Sequence, residues 1–259
     1  MTFLAPNMLP VYQYITGHVS KMLNLKTELL VGTSYHQISK GEADIYFVCG
    51  LPYVKFRQQK KPPVIAIAAP VLQGERYQNK PIYFSDVIVS KDKPYRTFGD
   101  LRGSSWAYNE TESQSGYGIT LYTLSQMGET SGFFSRVIKA GFHQKAIQMV
   151  AKGEVEASAI DSQVLSIEMR DDPDLKNHIK IIDSLGPSTI QPVAVSTKLD
   201  EELVYQIQSV FLELGKDSRS HQQLVQGYID HFVTVQDSTY DDIRYMLAKV
   251  NEAKFLRIK

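Results

Sequence analysis

Residues 81–89, PIYFSDVIV, decide how this chain is organised. The run is long and rich in the β-branched and aromatic residues that favour strands. Before it and after it the chain passes through the same alternation of strand and helix, so one lobe ends here and a second begins.

Working upstream, residues 2–5 form a short apolar run that stops at Pro6, and 8–25 place Leu9, Tyr12, Ile15, Val19, Met22 and Leu23 at helical spacing. Residues 27–31 read as a strand and 35–40 as a short helix. A further strand at 43–48 (ADIYFV) runs into a Gly50–Leu51–Pro52–Tyr53 turn, and 64–69 form another. Such alternation predicts an α/β lobe with right-handed crossovers, a mostly parallel sheet and ligand sites at the carboxyl ends of strands.

Downstream, 98–103 is a short helical turn, followed by strands at 105–108, 136–139, 155–160 and 179–183 that alternate with helices at 116–127, 143–152 and 162–170. Residues 190–195 (IQPVAV) are extended. The helices expected at 200–214, 221–228 and 239–253 have no strand of any length between them. They need a sheet to pack on, and the first lobe is the nearest, so the chain is expected to leave lobe one near Tyr83 and return near Val193. The expected domains are 1–82 with 195–259, and 83–194, joined by two crossing strands.

The 259 residues, at about 150 per domain, suit one large or two modest domains. With 28 basic and 28 acidic residues there is no global field to draw in polyanions, and no nucleic-acid partner is expected. Cys49 is the one cysteine, which excludes an intramolecular disulfide and a multi-thiolate zinc site. The longest strongly apolar run, 62–72, holds three prolines and is too short to span a bilayer. The opening MTFLAPNMLP has no basic segment leading into an apolar core and a cleavage site. The expectation is a cytoplasmic protein as written, or a periplasmic or cell-surface one if this is a processed form.

Several strings carry a resemblance: Phe3–Leu4–Ala5–Pro6–Asn7, Gly41–Glu42–Ala43–Asp44, Gly50–Leu51–Pro52–Tyr53, Glu112 to Tyr117 (ESQSGY), Ala140–Gly141–Phe142–His143, 153–161 (GEVEASAID) and 183–187 (DSLGP). In this order, over almost the whole chain, they resemble the phosphate, phosphite and phosphonate substrate-binding proteins of ABC transporters. The most specific element is Ser-x-Ser-Gly opening a helix, with His143 and then Asp161 after it. The resemblance implies a two-lobed type II periplasmic-binding-protein fold with a small phosphorus oxyanion held in the cleft. An ABC permease or a sensor is the expected partner of such a protein, and a monomer is the expected state.

The residues themselves suggest how an anion would be held. Ser113, Gln114 and Ser115 precede Gly116 and its helix, so first-turn amides and two hydroxyls would form a cradle favoured by the positive end of the helix dipole, with no Lys or Arg required. The plain alternative is an N-cap at Ser113 or Ser115. Tyr53, Tyr83 and Tyr35 are candidate phenol donors and cleft walls, Ser34 a second hydroxyl, although most of the 15 tyrosines must serve packing. His143 is a candidate donor from a carboxyl strand end, or else a cap. Asp161 is the candidate selectivity residue, or else the N-cap of the next helix. Glu110 and Glu112 are expected to face water or a cationic substituent.

No metal is expected, because His143 has no second His at helical ligand spacing, and no cofactor is called for. A catalytic role finds little support. A Gly-x-Ser-x-Gly elbow would need glycines where Ser113 and Tyr117 stand, and His143 with Asp161 is the sole acid–base pairing. The alternative to a solute-binding protein is a cytoplasmic small-molecule enzyme or ligand sensor on the same fold.

Overall fold

The computed structural model describes residues 1–129, 131–255 and 257–258. In chain order the elements are α1 (Leu9–Leu23), α2 (His36–Lys40), β1 (Ile45–Phe47), α3 (Gly50–Arg57), β2 (Val64–Leu72) and β3 (Ile82–Ser90). Then come β4 (Ser105–Tyr108), α4 (Ile119–Gln126), β5 (Arg136–Lys139), α5 (His143–Ala151), β6 (Ala157–Asp161), α6 (Ser162–Asp171), α7 (Leu175–His178) and β7 (Ile179–Thr189). The chain finishes with β8 (Val193–Ser196), α8 (Glu201–Glu213), α9 (Ser218–Val225), β9 (Ile229–Thr234) and α10 (Asp241–Glu252). It divides into two compact units, Met1–Ile82 with Thr189–Asp241, and Tyr83–Ser188 with Asp242–Lys259.

Unit one is built on a sheet of order β1-β8-β2-β9 whose neighbouring pairs are all antiparallel. This corrects the mostly parallel sheet expected for the lobe. β1 and β2, joined through α3, do run the same way, because both are antiparallel to β8. The returning strand β8 lies between them and takes the hydrogen bonds that a parallel pair would have made. β2 (VIAIAAPVL) is buried along nearly its whole length, as a continuous apolar run in a central strand should be. Its Pro70 lies beyond the reach of β8, where β2 pairs only with β9, so the missing N–H breaks no shared ladder.

Three other expectations for this lobe need correction. Residues 27–31 and 2–5 make no strands; Thr2 forms only isolated parallel bridges to Val31 and Phe47. The Gly50–Tyr53 turn is the first turn of α3, where Pro52 is tolerated because first-turn amides have no helical acceptor to lose. Finally, a strand, β9, does separate the last helices: IDHFVT pairs along the far edge of β2, and that pairing overrides its broken alternation.

Unit two carries the sheet β5-β4-β6-β3-β7, mixed in direction: β4 is parallel to β5 and β6, and β3 is antiparallel to β6. Period-two alternation divides its side chains between two apolar clusters. Val87, Val89, Trp106, Ala157 and Ala159 enter one cluster, and Ile88, Ala107 and Ile160 the other. The first is dense in rings, with Trp106 stacked on Phe134 at 4.7 Å and Phe98 on Phe133 at 5.6 Å. Val250, Phe255 and Ile258 pack into it as well. The C-terminal segment was expected on lobe one with the rest of 195–259; its apolar side chains instead complete the aromatic core of unit two.

Candidate functional site

Strand β4 delivers the chain to Asn109, and four residues later Ser113 takes an extended conformation (φ −84°, ψ 130°) that ends the loop. A π-helical turn, Gln114–Gly118, follows and runs into α4. Gly118 N–H donates to the Ser113 carbonyl at 2.9 Å, and Gly116 N–H donates to Ser113 Oγ at 3.1 Å. Ser113 is therefore the N-cap, as the plainer alternative held, and its hydroxyl satisfies one amide of the cradle. The wider turn places Ser115 differently: its hydroxyl lies 2.9 Å from His143 Nε2 and 3.3 Å from Ser113 Oγ. Gly116 leaves no room for a side chain, since a Cβ there would collide with Asn109 Oδ1 and stand 3.3 Å from His143 Cε1.

His143 opens α5 and is only 7% exposed. Burial alone pushes its pKa down to about 3, so the ring is neutral near neutral pH. Its Nε2 also meets Asn109 Nδ2 at 3.3 Å. Gln114 Nε2 donates to Ser188 Oγ at 3.3 Å and to Met246 Sδ at 3.2 Å, which fixes the π-turn against the end of β7 and against α10. Ser113, Ser115, Gly116 and His143 are thus brought together, and among the described residues no Lys or Arg is a hydrogen-bonding partner of theirs.

Sequence reasoning missed Asn109, Ser188 and Met246. Asn109 had a usable signal, because it immediately follows a strand at its carboxyl end. Ser188 and Met246 had none, being distant in sequence from the turn they hold.

Asp161 lies at the end of β6 and is buried, and its Oδ1 accepts from Gln163 N–H at 2.8 Å and Val164 N–H at 3.4 Å. That makes it the N-cap of α6. Tyr83 is buried on β3, two residues before Ser85, which pairs with Asp161 across the strands. Glu110 and Glu112 are half-buried, more enclosed than side chains facing water were expected to be.

Tyr35 and Tyr53 belong to unit one. Tyr35 is half-buried and stacks on Phe3 at 4.8 Å, while Ser34 Oγ accepts from His36 N–H within the local turn. Tyr53 is fully buried; its hydroxyl donates to Asp237 Oδ1 at 2.9 Å and accepts from Ala66 N–H at 3.2 Å. Burial, with Asp237 alongside, holds the phenol protonated far above its ordinary range. The sequence suggests a phenol that donates to a ligand oxygen, but its single hydrogen is directed to Asp237, which also accepts from Arg57 Nε at 2.9 Å. Tyr53 and Arg57 together hold the short helical turn Asp237–Tyr240 that leads into α10.

Among the described residues no group of three or more His, Cys, Asp or Glu could hold a metal ion, and Cys49 is buried and free of disulfide. No helix among them is long and apolar enough to cross a membrane.

Comparison with known proteins gives one consistent result. Residues 4–240 match the family model described as ABC transporter, phosphonate, periplasmic substrate-binding protein. A probable ABC transporter phosphite binding protein, PhnD1 of Prochlorococcus marinus, is 21% identical over 94% of this chain and 85% of its own length. The structure of PhnD1 in complex with methylphosphonate superposes with a TM-score of 0.83 at 19% identity, covering 97% of both chains. The binding protein component of an ABC phosphonate transporter from Pseudomonas aeruginosa also gives 0.83, at 15% identity, over 98% of this chain and 87% of that one.

Proposed function

The chain belongs to the periplasmic substrate-binding proteins of phosphonate ABC transporters, and from that premise we propose that it captures a small phosphorus oxyanion on the Ser113–Gly116 turn of unit two. The amides of the turn and the Ser115 hydroxyl give the hydrogen bonds, His143 orients that hydroxyl, and a permease receives the loaded protein. Tyr83 and Asp161 flank the same sheet end and belong to the proposed pocket.

The observation that carries the reading is the buried hydrogen-bonded set of Ser115, His143 and Asn109 beside the mouth of a helix. An anion there meets the positive end of the helix dipole, worth up to ~2 kcal/mol when partly buried. Hydrogen bonds to a charged ligand add roughly 1.5–3 kcal/mol each. Three or four of them leave about −8 kcal/mol after the entropy of binding, a micromolar affinity. Release by the carrier is compatible with that magnitude, whereas a lysine-lined site would hold a multiply charged anion more tightly.

The same features argue against acid–base catalysis by His143 with Asp161. Burial removes His143 from titration near neutral pH, and Asp161 Oδ1 is engaged in capping α6.

The deciding measurement is a thermal-shift panel of phosphate, phosphite, methylphosphonate, aminoethylphosphonate and sulfate. At least one phosphorus oxyanion should raise the unfolding temperature by ligand linkage. Indifference to all of them, with a response to a carboxylate or aromatic metabolite, would refute the reading.

A further inference from the structure

The carboxamide of Asn109 is nine-tenths buried. One side of it faces His143 Nε2, the nitrogen that also meets Ser115 Oγ; the other side lies against Gly116, close enough to forbid a Cβ there. Two buried polar atoms of this group, Asn109 Oδ1 and His143 Nδ1, have no hydrogen-bond partner.

A neutral imidazole carries a hydrogen on one nitrogen and a lone pair on the other, and the two ends of an amide are alike in shape. Two arrangements of hydrogens therefore fit the same heavy atoms. In the first, Nε2 is bare and accepts from Ser115 Oγ and Asn109 Nδ2. The Ser115 hydroxyl then has no hydrogen left to give, and Nδ1–H is a buried donor without an acceptor. In the second, Nε2–H donates to Ser115 Oγ and the Asn109 amide is turned by half a rotation, with its oxygen towards Nε2. The Ser115 hydrogen is then released for another acceptor and Nδ1 keeps an unmet lone pair, while the Asn109 NH2 group takes the buried place beside Gly116 where Asn109 Oδ1 now has no partner. Each arrangement leaves a buried donor unmet, Nδ1–H in the first and the amide hydrogens in the second, but an anion requires donors and only the second frees the Ser115 hydrogen for it.

Resting on the anion-site reading above, we propose that Asn109 is a positioning residue of that site, whose amide, acting through His143, determines whether the Ser115 hydroxyl presents a hydrogen or a lone pair to the ligand. A bound anion selects the second arrangement, and Asn109 stabilises it by accepting from Nε2–H. The anion thereby meets neutral donors already aligned by a neutral ring, with no counter-charge to desolvate.

The test uses the whole chain, with methylphosphonate as the probe and nitrogen-15 NMR of the His143 ring as the readout. In the complex the hydrogen should reside on Nε2. Asn109→Asp, whose carboxylate can only accept, should hold the Nε2–H tautomer even without ligand, an effect that a purely structural role would not produce. Asn109→Leu should weaken methylphosphonate binding about tenfold or more. The proposal is overturned if the wild-type complex carries its hydrogen on Nδ1, if Asn109→Asp leaves the free tautomer unchanged, or if Asn109→Leu binds like wild type. Any of these, alongside wild-type binding that is weakened in Ser115→Ala, removes the role of Asn109 and leaves the anion site standing. Wild-type protein that binds no phosphorus oxyanion at all removes both.

Discussion

Gln114, in the π-turn, donates its side-chain N–H to the sulfur of Met246 on α10 at 3.2 Å. A residue read as a ligand contact thus also ties the proposed anion turn to the C-terminal helix, with Ser188 Oγ as second acceptor. Gln114→Ala should destabilise the protein by about 1–3 kcal/mol, because both acceptors lose a buried donor. The urea unfolding midpoint reads this directly, and an unchanged midpoint would mean that the contact does not stabilise the turn.

Ser115→Ala should weaken methylphosphonate binding by about 1–3 kcal/mol through the loss of one charge-assisted hydrogen bond. Titration calorimetry on the variant is the check. Wild-type affinity would place the pocket elsewhere.

Gly116→Ala should be worse for both stability and binding. Its methyl group would collide with the Asn109 amide and crowd the His143 ring. Overpacking of this kind costs roughly 1–3 kcal/mol, and since the displaced groups are the ones that orient Ser115, affinity should fall with stability. A variant as stable as wild type that binds normally would contradict this geometry.

Stability should decline in mild acid. Unfolded His143 binds a proton below its ordinary value of 6.5, whereas in the folded protein burial defers that step to about 3. Between those values the unfolded chain binds more protons. The contribution is therefore full above about 6.5 and is lost, at about 1.4 kcal/mol per pH unit, as the pH falls towards the folded value. Urea midpoints from about pH 7 down to pH 5 should show this slope, and His143→Gln should flatten it. Equal slopes would assign the acid sensitivity to other groups.

Tyr53→Phe should separate structure from ligand binding. It leaves Ala66 N–H unpaired and Asp237 without one donor, so stability should fall by about 1–3 kcal/mol. Because the phenol hydrogen is directed to Asp237, methylphosphonate affinity should stay within about twofold. A large loss of affinity would restore Tyr53 as a ligand residue.

What could be read from the residues depended on whether the cause was local. The helix at 8–25 and the strand at 105–108 rest on periodicity and are found close to where they were expected, and the caps at Ser113 and Asp161, open to reading only as alternatives to ligand contacts, rest on short-range hydrogen bonds. β9 escaped notice because Asp230 and His231 break its alternation, and it is a strand through pairing with β2. Asn109 escaped because one asparagine after a strand looks like ordinary turn chemistry until His143 is set beside it.

An α/β chain of two units, with a Ser-Gln-Ser-Gly turn opening a helix, is legible from the residues because spacing, propensity and capping act over a few positions. Tertiary structure alone decided that β8 separates β1 from β2, that α10 completes the core of unit two, and that Tyr53 points its hydrogen at Asp237. Each of those depends on which distant surfaces can exclude water together and which buried donors find acceptors, and no local pattern encodes a partner more than a hundred residues away.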